Sequence, residues 1–310
     1  MSQSLSRQVT GRWIYGLLLA FFCAVLWGIL PVVMKLIVKE MDAASIVWIR
    51  MLVAVACLGT VLLWKGSLPK LHLLPKAHLL TLLICSICMA ANFFFFMDSL
   101  NWVSPANAQL FIQLGPVFMA VGAMLFFGER FTKIQWLAQV VLFVGFYMFF
   151  SDQLLHQESH TSSSYMYGVF LVILAAITWA GYALLQKQMQ GKLTPPQILF
   201  VLYFSSVLIF TPFAKPVLIF ELSTTAFFAL LFASLNTIFA YGAFAESLRH
   251  WHASRISAVL AITPVITLGT AAIAHSFFPA MSVAELIDPV GLAGAIIVVL
   301  SSSIIALAKS

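Results

Sequence analysis

Apolar residues fill this chain in ten long runs, and most polar residues lie in the short gaps between them. A helix needs about 20 mostly apolar residues to cross a bilayer. By that measure the predicted spans are residues 13–38, 44–64, 77–99, 105–127, 134–150, 166–189, 196–212, 225–248, 253–277 and 289–307. The widest gap, residues 151–164, is rich in Ser, His and Gln and separates spans five and six. It divides the chain into a first five-helix unit (1–150), an outer linker (151–164) and a second five-helix unit (165–310). The predicted fold class is therefore all-α and integral to the membrane, with ten transmembrane helices.

The two units echo each other. Phe96-Met97-Asp98-Ser99-Leu100 and Phe244-Ala245-Glu246-Ser247-Leu248 share the form F-x-acid-S-L, 148 residues apart, each with a proline sixteen residues past its Leu, Pro116 and Pro264. Ala24-Val25-Leu26-Trp27 with Lys35 matches Ala176-Ile177-Thr178-Trp179 with Lys187, 152 residues apart. Two matching blocks in the same order predict a duplicated unit. An odd number of spans per unit makes the second enter the membrane from the opposite side, so the halves are predicted to be inverted repeats. In carriers of that design the substrate site lies near mid-membrane, between the halves. Asp98 and Glu246 then end their spans at opposite faces, as do Lys35 and Lys187.

Composition narrows the class. The chain is 62% hydrophobic and 8% charged, against about 45–50% and about 25% in soluble domains. The formal charge of +6 is scattered through short loops, not gathered into the stripe that nucleic-acid binding needs. Cys23, Cys57, Cys85 and Cys88 all fall in apolar runs and read as small hydrophobes. Loop charges predict orientation, because cytoplasmic loops carry the excess of Lys and Arg. With the N-terminus inside, twelve of these residues face the cytoplasm, among them Arg12, Lys76, Lys192 and Arg249, and only Lys39 and Lys215 face out. Lys35 and Arg50, near span ends, are left out of that count. Both termini are expected in the cytoplasm. The first apolar run is too long for a signal-peptide core and is expected to stay as the first span.

Several short patterns fall in a telling order: Ala24-x-x-Trp27-Gly28 with Lys35 eight residues past the Trp, Trp48-x-Arg50, Pro116-Val117-Phe118, and Gly128-Glu129-Arg130. In order and spacing the chain resembles the EamA-type permeases of the drug/metabolite transporter superfamily. The resemblance implies a ten-helix carrier with a central cavity, in a bacterial inner membrane, moving small organic solutes such as amino acids, often outward. The second half departs from the pattern. Ala274-His275 stands where the family often repeats its Gly-Glu pair, and Trp179-Ala180 replaces Trp-Gly.

Polar groups at mid-bilayer are costly and are functional candidates by default. Gln109 and Gln113 share one helix face at i, i+4, and Trp179, Tyr182 and Gln186 share another at i, i+3, i+7. With Trp27, Asn92 and Asn236 they could line an aromatic, hydrogen-bonding, uncharged cavity. The other reading of the amides is interhelical glue. Glu129 and His275 are candidates for gating or coupling. Arg50, about two turns into span two, costs roughly 2.5–3.5 kcal/mol at a helix centre, so it is expected to snorkel or to pair with Asp42 or Glu40 as a structural anchor, a role favoured over the alternative of a substrate ligand. Lys35 is expected to snorkel. Pro31, Pro116 and Pro264 can each kink a span.

No metal cluster, nucleophile–base pair or paired carboxylate stands at matched depth, so neither an enzyme nor a cofactor is expected. The predicted function is transport of a small neutral or zwitterionic organic solute. A nucleotide-sugar or sugar-phosphate carrier ranks second, because phosphate calls for deep cationic side chains and the deep positions read as neutral. The expected partners are the solute and the lipid bilayer, with no nucleic acid. A monomer is compatible with these features, which do not encode an oligomeric state.

Overall fold

Five apolar runs fold as single helices long and apolar enough to cross a membrane. They are α1 (Trp13–Ile37), α2 (Ala43–Trp64), α3 (Lys76–Ser99), α7 (Ser162–Met189) and α9 (Thr224–His250). The structure is a computed structural model that describes residues 10–128, 132–156, 162–260, 262–277 and 289–307. Three further helices carry shorter apolar stretches: α6 (Lys133–His156), α8 (Pro195–Phe210) and α12 (Pro289–Leu307). No strand occurs among the described residues.

The fourth and ninth runs are each broken in two. The fourth divides into α4 (Pro105–Phe111) and α5 (Leu114–Phe127), the ninth into α10 (Ala253–Leu260) and α11 (Thr263–Phe277). Proline explains both breaks. Pro116 and Pro264 have no N–H to donate, so the preceding turn cannot continue its i→i−4 ladder. The chain tightens there into i→i−3 bonds: Gly115 N–H to Ile112 O at 2.8 Å, and Ile262 N–H to Val259 O at 3.3 Å.

Helix starts are fixed by side-chain oxygens that accept from otherwise orphaned backbone N–H groups. Asp42 accepts from Ser45 at the head of α2, Ser104 from Asn107 at α4, and Ser223 from Ala226 at α9. The Asp42 cap has a consequence for the sequence-based expectation. That carboxylate is engaged with Ser45, through both N–H and hydroxyl, and Glu40 accepts from Ser223 N and Oγ at 2.8 Å. Neither acid pairs with Arg50. Lys35 sits in the last turn of α1. Its ammonium donates to the carbonyls of Leu100 and Val103, beyond the end of α3, where a cation complements the exposed carbonyls.

Helices pack in pairs drawn from the two halves: α1 along α9, α3 along α7, α2 along α8, and α6 along α12. Close approach depends on glycine at particular points. A Cβ on Gly16 of α1 would stand 2.9 Å from the Trp251 side chain, and one on Gly168 of α7 would stand 2.7 Å from that of Trp102. Gly145 and Gly294 face each other across α6 and α12, each leaving room for the other's carbonyl. Leu18, Phe22, Leu83, Tyr147 and Phe228 are among the large apolar side chains that point outward, as a lipid-facing surface requires.

Candidate substrate cavity

A cavity of about 80 Å³ opens between these helices. From α1 come Trp27, Pro31 and Met34; from α3, Asn92, Phe93 and Phe96. The break after α4 supplies Gln109, Ile112 and Gln113, and the break after α10 supplies Leu260 and Thr263. Trp179 of α7 and Tyr241 of α9 complete one side, and Arg50 of α2 reaches in from another. The proline breaks matter here. They place side chains and backbone ends of both halves on one space, where continuous helices would present only their sides.

Gln113 joins the two breaks. Its amide nitrogen donates to Leu260 O at 3.2 Å and to the Thr263 hydroxyl, while its Oε1 is buried without a partner. Asn92 Nδ2 donates to Ala175 O at 2.9 Å and so ties α3 to α7. The indole N–H of Trp27 is likewise buried and unpartnered. A buried polar group without a partner is costly. Gln113 Oε1 and Trp27 Nε1 thus leave one acceptor and one donor unused on two residues that line the cavity.

Aromatic rings close the space toward the end of α1 that carries its N-terminus. Trp27 meets Tyr241 at 4.9 Å and Phe244 at 5.4 Å between ring centroids, Trp179 meets Phe244 at 5.4 Å, and Tyr182 meets Phe244 at 6.3 Å. Residues matched by the internal repeat touch each other in this layer: Trp27 with Trp179 at 5.9 Å and Phe93 with Tyr241 at 5.0 Å.

Arg50 is the residue the sequence-based reading placed wrongly. It is 1% exposed. Its Nε donates to Thr237 Oγ1 at 3.1 Å and Ala233 O at 3.3 Å, Nη2 donates to Thr237 Oγ1 at 2.9 Å, and Nη1 approaches the Met34 sulfur at 3.5 Å. Its plane also lies over Phe93, 5.2 Å from the ring centroid. The deep positions are thus not all neutral. An arginine inside a span is a functional candidate on its own account, and that was the available signal.

Of the other sequence candidates, Trp27, Asn92, Gln109, Gln113 and Trp179 line the cavity, and Tyr182, Gln186 and Asn236 do not. Tyr182 belongs to the aromatic layer. Gln186 is fully buried with both amide atoms unpartnered. Asn236 donates to Leu26 O at 2.7 Å and fastens α9 to α1. His275 lies exposed in the last turn of α11, and Glu129 falls outside the described residues. Phe93, Tyr241 and Thr263 line the cavity and were not singled out from sequence. Tyr241 sits one turn before Phe244 of the repeated motif, and Thr263 directly before Pro264, so both had a positional cue.

Apolar outer faces around an inner cavity of aromatic and aliphatic side chains with a few polar groups fit a multi-pass membrane transporter. Residues 14–151 and 166–307 match the model of the EamA-like transporter family, and the chain belongs to that family. It is 35% identical over 286 residues to the uncharacterized inner membrane transporter YhbE of Escherichia coli strain K12, covering 92% of this chain and 88% of that one. An uncharacterized transporter of Haemophilus influenzae is 32% identical, covering 92% of each chain. A probable amino-acid metabolite efflux pump of Escherichia coli is 26% identical, covering 82% of this chain and 85% of that one. A crystal structure 14% identical in sequence superposes with a TM-score of 0.70, covering 95% of this chain and 98% of the other. That likeness is one of fold alone.

Proposed function

We propose that this protein is an inner-membrane carrier that exports a small zwitterionic organic solute of the amino-acid class by alternating access. The observation that carries the reading is the cavity itself: both halves contribute to it, at paired breaks in their helices, with amide and aromatic side chains and no carboxylate among the described lining residues. The relatives named as inner membrane transporter and as amino-acid metabolite efflux pump support the membrane and the solute class.

In this reading α1–α6 and α7–α12 are two five-span inverted repeats, and the termini are cytoplasmic. The packing supports it. Exchange of the halves turns the α1–α9 pair into the α7–α3 pair, and maps the glycine contact of Gly16 onto that of Gly168. Matched residues meeting at Trp27–Trp179 and Phe93–Tyr241 support a pseudo-two-fold axis that passes near the cavity. Rocking of one half against the other would open the aromatic layer on one side while the far mouth closes.

Flux into proteoliposomes tests the class. Radiolabelled amino acids are expected to enter saturably and to be accelerated by unlabelled amino acid preloaded inside. Non-saturable flux without exchange would mark a channel instead.

A further inference from the structure

Arg50 is a full cation placed inside a span with no anion to meet it. Among the described residues no carboxylate stands within ion-pair distance, and the described salt bridges, both at Glu246, lie elsewhere. Asp42 and Glu40, the nearest acids in sequence, are committed to Ser45 and Ser223. A guanidinium has five N–H donors in a planar fork. Nε is shared between Thr237 and Ala233, one Nη2 hydrogen goes to Thr237, and one Nη1 hydrogen has only a thioether, a weak acceptor. One further hydrogen on each terminal nitrogen has no acceptor among the described residues, and the side chain borders the cavity. A buried charge left uncompensated is strongly destabilising.

The fork is nevertheless held still. Thr237 bonds it at two nitrogens, and Phe93 backs its plane. An unpaired, buried, pre-oriented guanidinium facing a cavity is built to receive a planar anion in two parallel hydrogen bonds. We propose that Arg50 is the anchor for the carboxylate of the transported solute, so that this carrier selects solutes bearing a single carboxylate. The proposal rests on the carrier reading above and adds the group that decides which solutes qualify.

Charge count separates a carboxylate from a phosphate. A phosphomonoester carries about −1.5 to −2 at neutral pH, and Arg50 is the one cationic side chain among the described lining residues. A carboxylate balances it. The solute's ammonium group then faces the rings of Trp27, Trp179 and Tyr241, with Gln113 Oε1 as its acceptor. An amine that lacks the carboxylate would bring a second positive charge beside Arg50 and find nothing to neutralise either.

The test uses the purified full-length protein and follows intrinsic tryptophan fluorescence, to which Trp27 and Trp179 at the cavity contribute, together with thermal shift. The probes are the twenty standard amino acids, the carboxamide and the decarboxylated amine of each one that binds, acetate, and inorganic phosphate. At least one amino acid is expected to bind, with its amide and its amine weaker by tenfold or more and phosphate weaker than the amino acid. Arg50→Gln is expected to abolish the preference for acid over amide, and Arg50→Lys to keep the preference at reduced affinity. A purely structural clamp between α2 and α9 would lower the melting temperature of both variants and leave the acid-to-amide ratio unchanged, overturning the proposal. So would equal binding of acid and amide by the wild type, a comparison that needs no variant to fold. Tighter binding of phosphate, or no binding of any carboxylate, would also overturn it. Saturable proteoliposome flux of a neutral solute, indifferent to Arg50→Gln, would remove the anchor and leave the carrier. Arg50-dependent carboxylate binding without flux would do the reverse.

Discussion

Two amides of similar burial have different work. Gln113 spans the broken helices and leaves Oε1 on the cavity; Asn236 fastens α9 to α1 away from it. Replacing Gln113 by Ala removes the acceptor offered to the solute. It leaves little unsatisfied behind, because Leu260 O keeps the Thr263 hydroxyl at 2.8 Å. Solute affinity should fall by about 1–3 kcal/mol, the cost of an unpaired polar group, which is roughly 5–150-fold, and the melting temperature should fall too, because the bonds to Leu260 and Thr263 are lost. Asn236→Ala should lower stability alone. An interhelical hydrogen bond in a membrane protein contributes about 0.6 kcal/mol and up to about 1.7, so stability drops measurably while affinity holds. Titration and thermal melting of the two variants side by side decide it, and loss of affinity on Asn236→Ala would place that residue in the site.

At the scale of the helix, small residues set how near two axes come, and proline sets where an axis breaks. The α6–α12 pair depends on Gly145 and Gly294, since a Cβ on Gly145 would meet Gly294 O at 2.9 Å and one on Gly294 would meet Gly145 O at 2.7 Å. Both obstacles are backbone and cannot rotate away. Gly145→Val should therefore force the pair apart, at about 1–3 kcal/mol or more for overpacking. Gly242 of α9 has nothing within 4 Å of an added Cβ. Gly242→Ala should keep or raise the melting temperature, because alanine is the better helix former. A melt in which both substitutions behave alike would show that packing at Gly145 is looser than the distances imply.

For the whole molecule, topology is the property on which direction of transport depends. The Lys and Arg bias predicts that Lys192, between α7 and α8, faces the cytoplasm and that Ser163, at the head of α7, faces out. In a cysteine-free background, Ser163→Cys should react with a membrane-impermeant maleimide in intact cells, and Lys192→Cys should react only after the membrane is opened. The reverse pattern would invert the molecule and reverse the side on which the aromatic layer of Trp27, Tyr182, Tyr241 and Phe244 closes the cavity.

Some of this was settled by composition and spacing alone. A chain 62% apolar, with its charges in short gaps, has to satisfy its backbone inside lipid, and helices do that locally. The helical class and the apolar runs are therefore written in the sequence. Pro116 and Pro264 marked where spans four and nine could kink, but Pro31 carries the same signal inside an unbroken α1, so which prolines break a helix was decided by the surroundings. Trp27, Asn92, Gln109, Gln113 and Trp179 could be proposed for one cavity because polar or amphipathic groups deep in a span are rare. Burial depth and partner choice were beyond it. Arg50 looked close enough to Asp42 and Glu40 to pair with them, yet helix capping takes Asp42, Ser223 takes Glu40, and Arg50 turns inward to Thr237, 187 residues away in sequence. Asn236 carries the same signal as Asn92 and serves as a helix clasp away from the cavity. Which face of a helix meets the other half is decided by contacts between residues far apart in the chain, and only the tertiary structure brings those together.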